Sequence, residues 1–221
     1  MQAEQLESIL KQIREFIDAR VIPLEQETTE MAFDNVESKL LQLREDVKNM
    51  GLWLPQISGE WGGLDLSLQQ FGKISAELGR SPFGHFVFNC QAPDAGNMEI
   101  LIEHGTPEQH TTFLKPLLAG EIRSCFAMTE PEHAGSNPTI MSTTAVKDGN
   151  EYVINGHKWF TSSADGATFA IVMAVTGPDA QSPYQRARQI IVPTDTPGFT
   201  RVRNIPVMGE AGSGYSCLLY T

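Results

Sequence analysis

The sequence predicts an α+β protein, with an N-terminal all-α helical domain over residues 1–121 and a small antiparallel β-barrel or sandwich over residues 122–221. Two observations support this fold class. Before residue 121, apolar residues recur at the three- and four-residue spacing of amphipathic helices. After residue 121, short runs rich in β-branched and aromatic residues alternate with turn residues, which is typical of strands. The change of pattern places the predicted domain boundary near residue 121.

The first two helices are indicated by their apolar spacing and by the residues that end them. Apolar positions over residues 6–17 predict a helix that ends or kinks at Pro23, because proline removes a backbone donor. A second set of apolar positions over residues 36–50 predicts another helix. Gly51 follows it at the position where a C-cap glycine is expected.

Capping boxes mark the start of two later helices. Ser67 with Gln70 predicts the first of these boxes, and Thr106 with Gln109 predicts the second. A further helix is expected between them, opening at residues 93–94. The helical region therefore contains five predicted helices.

The predicted sheet consists of short strands joined by turns. The strand segments are Ser142–Lys147, Tyr152–Ile154, His157–Ser162, Phe169–Val175, Gln189–Val192 and Phe199–Arg203. The dipeptides Asp148-Gly149 and Asn155-Gly156 predict hairpin turns between them. Because Phe169–Val175 is apolar on both faces, we expect it to be a central strand covered on both sides.

Composition excludes several classes of partner. The chain carries 16 Lys and Arg against 27 Asp and Glu, and nucleic acid is not expected because its binding needs clustered positive charge. No apolar run approaches the roughly 20 residues that span a bilayer, and the first residues lack a signal-peptide pattern, so membrane insertion is not expected.

Cys90, Cys125 and Cys217 show no C-x-x-C spacing. They predict neither disulfides nor a metal site and favour a cytoplasmic location.

The most informative stretch runs from residue 125 to residue 163. It contains a Thr-Glu-Pro turn at residues 129–131, a Gly-Ser pair at residues 135–136, and the run Ile-Asn-Gly-His-Lys-Trp-Phe-Thr-Ser-Ser at residues 154–163. In this order after a helical region, these motifs resemble the flavin-contacting middle domain of acyl-CoA dehydrogenases. The sequence Gly-Leu-Trp-Leu-Pro at residues 51–55 and Glu-Trp-Gly-Gly-Leu at residues 60–64 resemble the N-terminal helical domain of that family.

The resemblance implies an FAD-dependent α,β-dehydrogenation of an acyl-CoA thioester. In the family, a carboxylate removes the proton α to the thioester while the β-hydride passes to N5 of FAD. The resemblance further implies an electron-transfer flavoprotein or a similar acceptor as partner, and a homo-oligomer for the full-length family. The cofactor-binding residues that it implies are Phe126, Met128, Thr129, Gly135, Ser136, Phe160, Thr161 and Ser162.

The resemblance gives the turn residues specific roles. Phe126, Met128 and Thr129 are expected along the isoalloxazine ring, with Thr129 hydrogen bonding its pyrimidine portion. Ser136 is expected at the FAD pyrophosphate, since the backbone N–H groups of the Gly135-Ser136 turn suit an anion. The alternatives are that the Thr-Glu-Pro segment is simply a strand-ending turn and that Met128 is a core filler.

The strand run receives roles in the same way. Phe160 is expected to pack against the flavin ring, and the Thr161 backbone with the Ser162 hydroxyl is expected near N5 and O4. Neighbouring residues on a strand point to opposite faces, so Trp159 is expected to be structural. Taken alone, Ser162 and Ser163 are ordinary hydroxyls at a sheet edge.

Other polar residues near the motif have no predicted role. Glu130, Glu132 and Asp165 are expected to be solvated, because the family uses none of them as its base. The five histidines show no ligand spacing and are expected at the surface or at helix ends. The turn at residues 132–134 is one residue longer than in the commonest family version, and Asn137 stands where many members have Asp.

The catalytic base is expected outside this chain. In the family, a C-terminal four-helix bundle supplies the catalytic carboxylate, most of the tetramer interface and the contacts to the adenosine half of FAD, whereas this sequence stops at Thr221. Two hypotheses follow. One is an acyl-CoA dehydrogenase present as a fragment that lacks the catalytic-base domain and is inactive in isolation. The other is a non-catalytic truncated module or binding protein that retains the fold.

Overall fold

A computed structural model describes residues 1–25, 34–135, 137–205 and 215–220 of the chain. The chain divides into two compact units, Met1–Ala95 and Gly96–Thr221. Helices and a mixed sheet are both present, so the predicted α+β class is confirmed. Among the residues that the structure describes, no helix is long and apolar enough to cross a bilayer.

The first unit is helical. Helix α1 spans Ala3–Phe16 and continues into a π-helical turn at Ile17–Val21; α2 spans Asp34–Asn49, α3 spans Leu68–Leu78, and α4 is the short helix Gly84–Val87. A 3₁₀ turn at Gly59–Trp61 lies between α2 and α3. Their apolar faces form one core, which includes the fully buried residues Ile13, Ile17, Leu40, Val47, Ile74 and Leu78. The helical spacing in the sequence therefore corresponds to a buried face on each of the three long helices.

The predicted end signals of these helices are confirmed. The Ser67 hydroxyl accepts a hydrogen bond from the Gln70 N–H, and the Gln70 side chain accepts one from the Ser67 N–H. Gly51 follows α2 at a φ of 69°. This left-handed conformation is adopted most easily by glycine, and it lets the Gly51 N–H donate back to the Lys48 carbonyl.

Short helices lead from the start of the second unit to its sheet. Helix α5 spans Asp94–His104, α6 spans Pro107–Gln109, a π-helical turn covers His110–Leu114, and α7 spans Lys115–Ala119. The predicted capping box of Thr106 and Gln109 is confirmed. Asn97 of α5 is buried and donates to Ser124 Oγ at 2.9 Å and to the Cys125 carbonyl at 3.2 Å. This pair of hydrogen bonds fixes α5 to the first strand.

The sheet has seven strands and is mixed. They are β1 Ser124–Ala127, β2 Thr144–Asp148, β3 Glu151–Ser162, β4 Phe169–Val175, β5 Ala187–Pro193, β6 Phe199–Asn204 and β7 Tyr215–Tyr220. Their order is β1-β4-β2-β3-β7-β6, with β5 paired to β4. The prediction of an antiparallel barrel or sandwich is wrong in this respect, because β4 runs parallel to β1 and to the start of β2. Between the described strands, no pairing of β1 with β6 closes a barrel.

Strand β4 occupies the centre of this sheet, as its apolar sequence predicts. It pairs with β1 on one side and with β5 along its whole length on the other. Phe169, Ala170, Ile171 and Val172 are all buried. The parallel pairing with β1 arises because the β2–β3 hairpin intervenes in the chain, so β4 returns beside β1 in the same direction.

One of the two predicted hairpin turns is wrong. The Asp148-Gly149 turn forms as expected, with Gly149 at a φ of 59° and Asp148 paired with Glu151. Asn155-Gly156 forms no turn, because β3 continues through it to Ser162. Gly156 is needed for a different reason: a Cβ there would lie 2.2 Å from Oγ1 of the buried Thr143.

We expect Gly156→Ala to lower the free energy of unfolding by about 1–3 kcal/mol, because the added methyl group overpacks a site with no free space. Chemical denaturation of the purified chain measures the change. Gly166→Ala is the matched control, since nothing lies within 4 Å of a Cβ at that position. Equal stability of the two variants would show that β3 and the segment before β2 can separate freely.

Candidate functional site

The two sequence motifs lie side by side in the second unit. The Trp159 N–H donates to the Thr129 carbonyl at 3.1 Å. The Lys158 ammonium donates to the Met128 carbonyl at 2.8 Å. These bonds extend β1 past its last residue and pair the Thr-Glu-Pro turn with the second half of β3. The structure therefore brings together residues that are about thirty positions apart in sequence, as sheet pairing allows.

Strand β1 presents two different faces. Cys125 and Ala127 are buried in the apolar cluster of the sheet. Phe126 and Met128 alternate with them and are half-buried. Since successive strand side chains point to opposite faces, Phe126 and Met128 share the face away from that cluster. They leave apolar surface available beside Thr129, which is also half-buried.

A β-bulge interrupts β3 where the motif residues lie. The register with β7 shifts between Lys158 and Thr161, and both of these residues are buried. Phe160 lies between them at a φ of 49°, with its side chain 44% exposed. The expectation that Trp159 and Phe160 point to opposite faces is wrong, because their ring centroids are 5.1 Å apart. The bulge removes the strict alternation on which that expectation depended.

The backbone on both sides of Thr161 and Ser162 is strained. Phe160 and Ser163 have φ values of 49° and 64°, in the left-handed region that non-glycine residues seldom adopt. The Thr161 hydroxyl is buried and has no hydrogen-bond partner among the described residues. Strained backbone of this kind persists where the surrounding structure fixes it, and it is concentrated at functional sites.

Glu130 is a component of the site that the sequence analysis missed. It was expected to be solvated, but it is only 3% exposed. Its carboxylate accepts hydrogen bonds from the Ser142 N–H at 2.5 Å, from the Thr143 N–H at 2.8 Å and from the Lys158 ammonium at 2.8 Å. The Glu-Pro sequence alone carries no sign of this role. Its partner Lys158 lies 28 residues away in the chain, so no local signal was available.

The electrostatics of this pair follow from burial and hydrogen bonding. Burial raises the pKa of the Glu130 carboxyl, but hydrogen bonds from Lys158 and from the backbone before β2 outweigh burial and hold its pKa below the ordinary value. Burial lowers the pKa of Lys158, and Glu130 opposes this with its hydrogen bond and its charge. Glu130 is therefore a carboxylate at neutral pH, paired with an ammonium that has two acceptors.

Gly135 contributes through its lack of a side chain. A Cβ at this position would lie 2.0 Å from the Thr129 Cγ2 methyl carbon. The loop can therefore fold back onto the turn only with glycine there. His133 Nε2 lies 2.5 Å from Ser142 Oγ and links the same loop to the segment before β2. Ser136, the expected pyrophosphate contact, lies outside the described residues.

Other chemically capable groups do not join this site. Glu132 and Asp165 are exposed, as expected. Cys90 and Cys125 are buried free thiols, and burial raises the pKa of Cys90 to about 12. Within the ranges that the structure covers, no three His, Cys, Asp or Glu side chains are grouped so that they could hold a metal ion.

A separate groove of about 470 Å³ lies beside α5, β4 and β5. Its wall is partly apolar, with Ile100 from α5, Ile171 from β4 and Ile190 from β5, and it also carries Arg188. None of its lining residues is one of the cofactor-binding candidates. It is therefore distinct from the site that the two motifs build.

The helical region and the sheet region of the chain each match a known protein domain. Residues 3–121 match the family model described as the acyl-CoA dehydrogenase N-terminal domain, and residues 125–220 match its middle domain. The chain belongs to the acyl-CoA dehydrogenase family. The family resemblance drawn from the sequence motifs is thereby confirmed.

Individual relatives support this membership. The chain is 41% identical to acyl-CoA dehydrogenase family member 11 of Gallus gallus over 94% of its own length and 28% of the relative. An acyl-CoA dehydrogenase structure from Mycobacterium abscessus shares 36% identity with a TM-score of 0.93, and all of this chain aligns with 58% of it. A glutaryl-CoA dehydrogenase from Mycobacterium smegmatis, in complex with FADH2, shares 28% identity with a TM-score of 0.72; all of this chain aligns with 53% of it. The chain thus spans about 28% of the curated relative's length.

Proposed function

We propose that this chain is the flavin-contacting part of an FAD-dependent acyl-CoA dehydrogenase, whose catalytic base lies outside residues 1–221. One observation carries the proposal: the turn at Thr129 and the bulge at Phe160 meet through the Trp159–Thr129 hydrogen bond. Family membership supports the reaction class. The Mycobacterium smegmatis structure with FADH2 supports the choice of cofactor.

The residues present fit the isoalloxazine ring. A planar aromatic ring needs an apolar surface for its face and hydrogen-bonding groups for its edge. Phe160 is 44% exposed, and Phe126 and Met128 offer half-buried apolar surface. The buried Thr161 hydroxyl without a partner is the kind of polar group expected next to a bound ligand.

Each candidate residue then has a binding or orienting role in this proposal. Phe160, Met128 and Phe126 contact the flavin face, while the hydroxyls of Thr129 and Ser162 and the Thr161 backbone bond its polar edge. The methyl group of Thr129 faces Gly135, which leaves the hydroxyl free to turn the other way. The Gly135-Ser136 amides hold the pyrophosphate.

The reaction class divides the work between chain and cofactor. Bound FAD supplies the hydride-accepting chemistry, and the protein supplies binding and orientation. The substrate is an acyl-CoA thioester, which loses its α-proton to a carboxylate of the family's C-terminal helical domain. In the part of the chain that the structure covers, Glu130 is buried at the site but already accepts three hydrogen bonds, so it is unsuited to accept this proton.

This last observation also favours the alternative function. A flavin site whose one buried described carboxylate, Glu130, is fully engaged is also what a non-catalytic module would show. An electron-transfer flavoprotein or similar acceptor, self-association of the whole protein and a cytoplasmic location belong to the enzyme proposal. They are supported by the family resemblance and, for location, by the two buried free thiols.

Phe160→Ala tests the proposed function. We expect it to weaken FAD binding about tenfold, since it removes a large aromatic contact worth about 1.4 kcal/mol. Quenching of flavin fluorescence during titration measures the dissociation constant. Tyr152→Ala is the matched control, because Tyr152 lies on the same strand with 50% exposure and away from the bulge. Equal FAD affinity of both variants would contradict the proposed contact.

A further inference from the structure

We infer that Glu130 and Lys158 are positioning residues for the flavin site: their buried ion pair holds the bulge at residues 159–161 in the shape that presents Phe160. The inference rests on the proposed function for the identity of the ligand. The pair itself is defined by the contacts of the structure. Neither residue is proposed to touch the flavin.

Glu130 connects three segments of the second unit. It is itself part of the Thr-Glu-Pro turn, it accepts from the backbone at residues 142–143, and it accepts from Lys158 of β3. With side chains 2% and 0% exposed, Glu130 and Lys158 are shielded from water. Water therefore cannot replace either partner, and the loss of one leaves the other unpaired.

Lys158 is the last paired residue of β3 before the register shift. Its ammonium donates both to Glu130 and to the Met128 carbonyl, at 2.8 Å each. The next residue, Trp159, donates its N–H to the Thr129 carbonyl. Two successive residues of β3 are thus bonded to two successive carbonyls of the turn, immediately before Phe160.

The conformation of Phe160 needs such support. A left-handed φ on a bulky residue costs about 1–3 kcal/mol and persists only when its surroundings fix it. On one side of Phe160 these surroundings are the buried pair and the Trp159–Thr129 bond; on the other side is the buried Thr161. If the pair is lost, we expect β3 to relax towards regular alternation, which separates the Phe160 ring from the Trp159 ring that it now contacts.

The test compares the unmodified chain with five variants by FAD titration and by the backbone chemical shifts of Phe160, which report its φ. Lys158→Met removes the pair, and Lys158→Arg restores a cation. The double variant Glu130→Gln with Lys158→Met removes both charges, so that it folds even if Lys158→Met does not. Lys147→Met changes an exposed lysine on β2, and Val192→Ala weakens the sheet core away from the pair.

We expect Lys158→Met and the double variant to bind FAD at least about tenfold more weakly. We also expect both to lose the backbone chemical shifts that indicate a left-handed φ at Phe160. Lys158→Arg should recover part of both properties. Lys147→Met and Val192→Ala should keep the FAD affinity and the Phe160 chemical shifts of the unmodified chain, although Val192→Ala should have a lower free energy of unfolding.

Two results separate this inference from the proposed function. A folded double variant that keeps FAD affinity and the left-handed shifts would overturn the inference while leaving the proposed function standing. Failure of unmodified residues 1–221 to bind FAD when they are joined to the C-terminal helical domain of a relative would overturn the proposed function. In that case the Phe160 shifts of the double variant still decide whether the pair fixes the bulge.

Discussion

Lys158→Met should lower the free energy of unfolding of this chain by about 3–5 kcal/mol, because it leaves a buried carboxylate without its counter-charge. The Glu130 carboxylate, which is 3% exposed in the unmodified chain, would keep its two backbone donors and lose the Lys158 ammonium. A loss of this size is a large fraction of the stability of an ordinary domain. Urea denaturation followed by circular dichroism measures it.

The accompanying variants show whether the charge or the packing is responsible. Lys147→Met, on the neighbouring strand, should change stability by less than about 0.5 kcal/mol because that lysine is exposed. Adding Glu130→Gln to Lys158→Met should recover part of the loss, since a neutral amide is cheaper to bury than a lone carboxylate. The recovery is partial because the amide NH2 group faces one of the two backbone N–H donors from which the carboxylate accepted. If Lys158→Met is as stable as Lys147→Met, the ion pair does not hold the turn to β3.

Residues 1–221 alone should show no measurable dehydrogenation of acyl-CoA substrates. Under the proposed function the base belongs to the C-terminal helical domain of the family, and loss of a positioned base costs about 10²–10⁴-fold in rate. Joining these residues to the C-terminal helical domain of a relative should raise the rate by at least that factor. Anaerobic bleaching of the flavin absorbance by a panel of acyl-CoAs measures the reaction.

The control for this prediction is the same fusion with the catalytic carboxylate of the added domain replaced by glutamine, which should be as inactive as residues 1–221. If acyl-CoA bleaches FAD in the presence of residues 1–221 alone, these residues contain a base. Glu132 would then be the first residue to test, since its carboxylate is exposed near the turn, whereas that of Glu130 is engaged.

Features governed by local sequence were predictable in this chain. The capping boxes at Ser67 and Thr106 depend on residues three positions apart, and both form. The central position of Phe169–Val175 follows from its apolar sequence, because a strand with two apolar faces must be covered twice. The Gly149 turn likewise follows from a local preference for left-handed backbone.

Features that depend on distant partners were not predictable. Asn155-Gly156 has the sequence of a hairpin turn, but the glycine is required by Thr143, which packs against it from another segment. The parallel pairing of β1 with β4 depends on where the intervening hairpin lies, which the composition of the strands does not encode.

The candidate site shows the same division. Family motifs located Thr129 and Phe160, and the structure places their segments together. The burial of Glu130 depends on Lys158, which is 28 residues away in the chain, so no local rule indicates it. The bulge breaks the alternation of side chains along β3, from which Trp159 and Phe160 were predicted to point to opposite faces.

Mapping of FAD onto the chain by NMR tests the central claim, that the turn and the bulge together bind the flavin. A titration of isotope-labelled protein should shift the signals of the proposed contacts, which are Phe126, Met128, Thr129, Phe160, Thr161 and Ser162. The groove beside α5 provides an internal comparison, and the signals of Ile100 and Ile190 should stay unchanged. Shifts confined to that groove, or shifts on only one of the two motif segments, would contradict the claim.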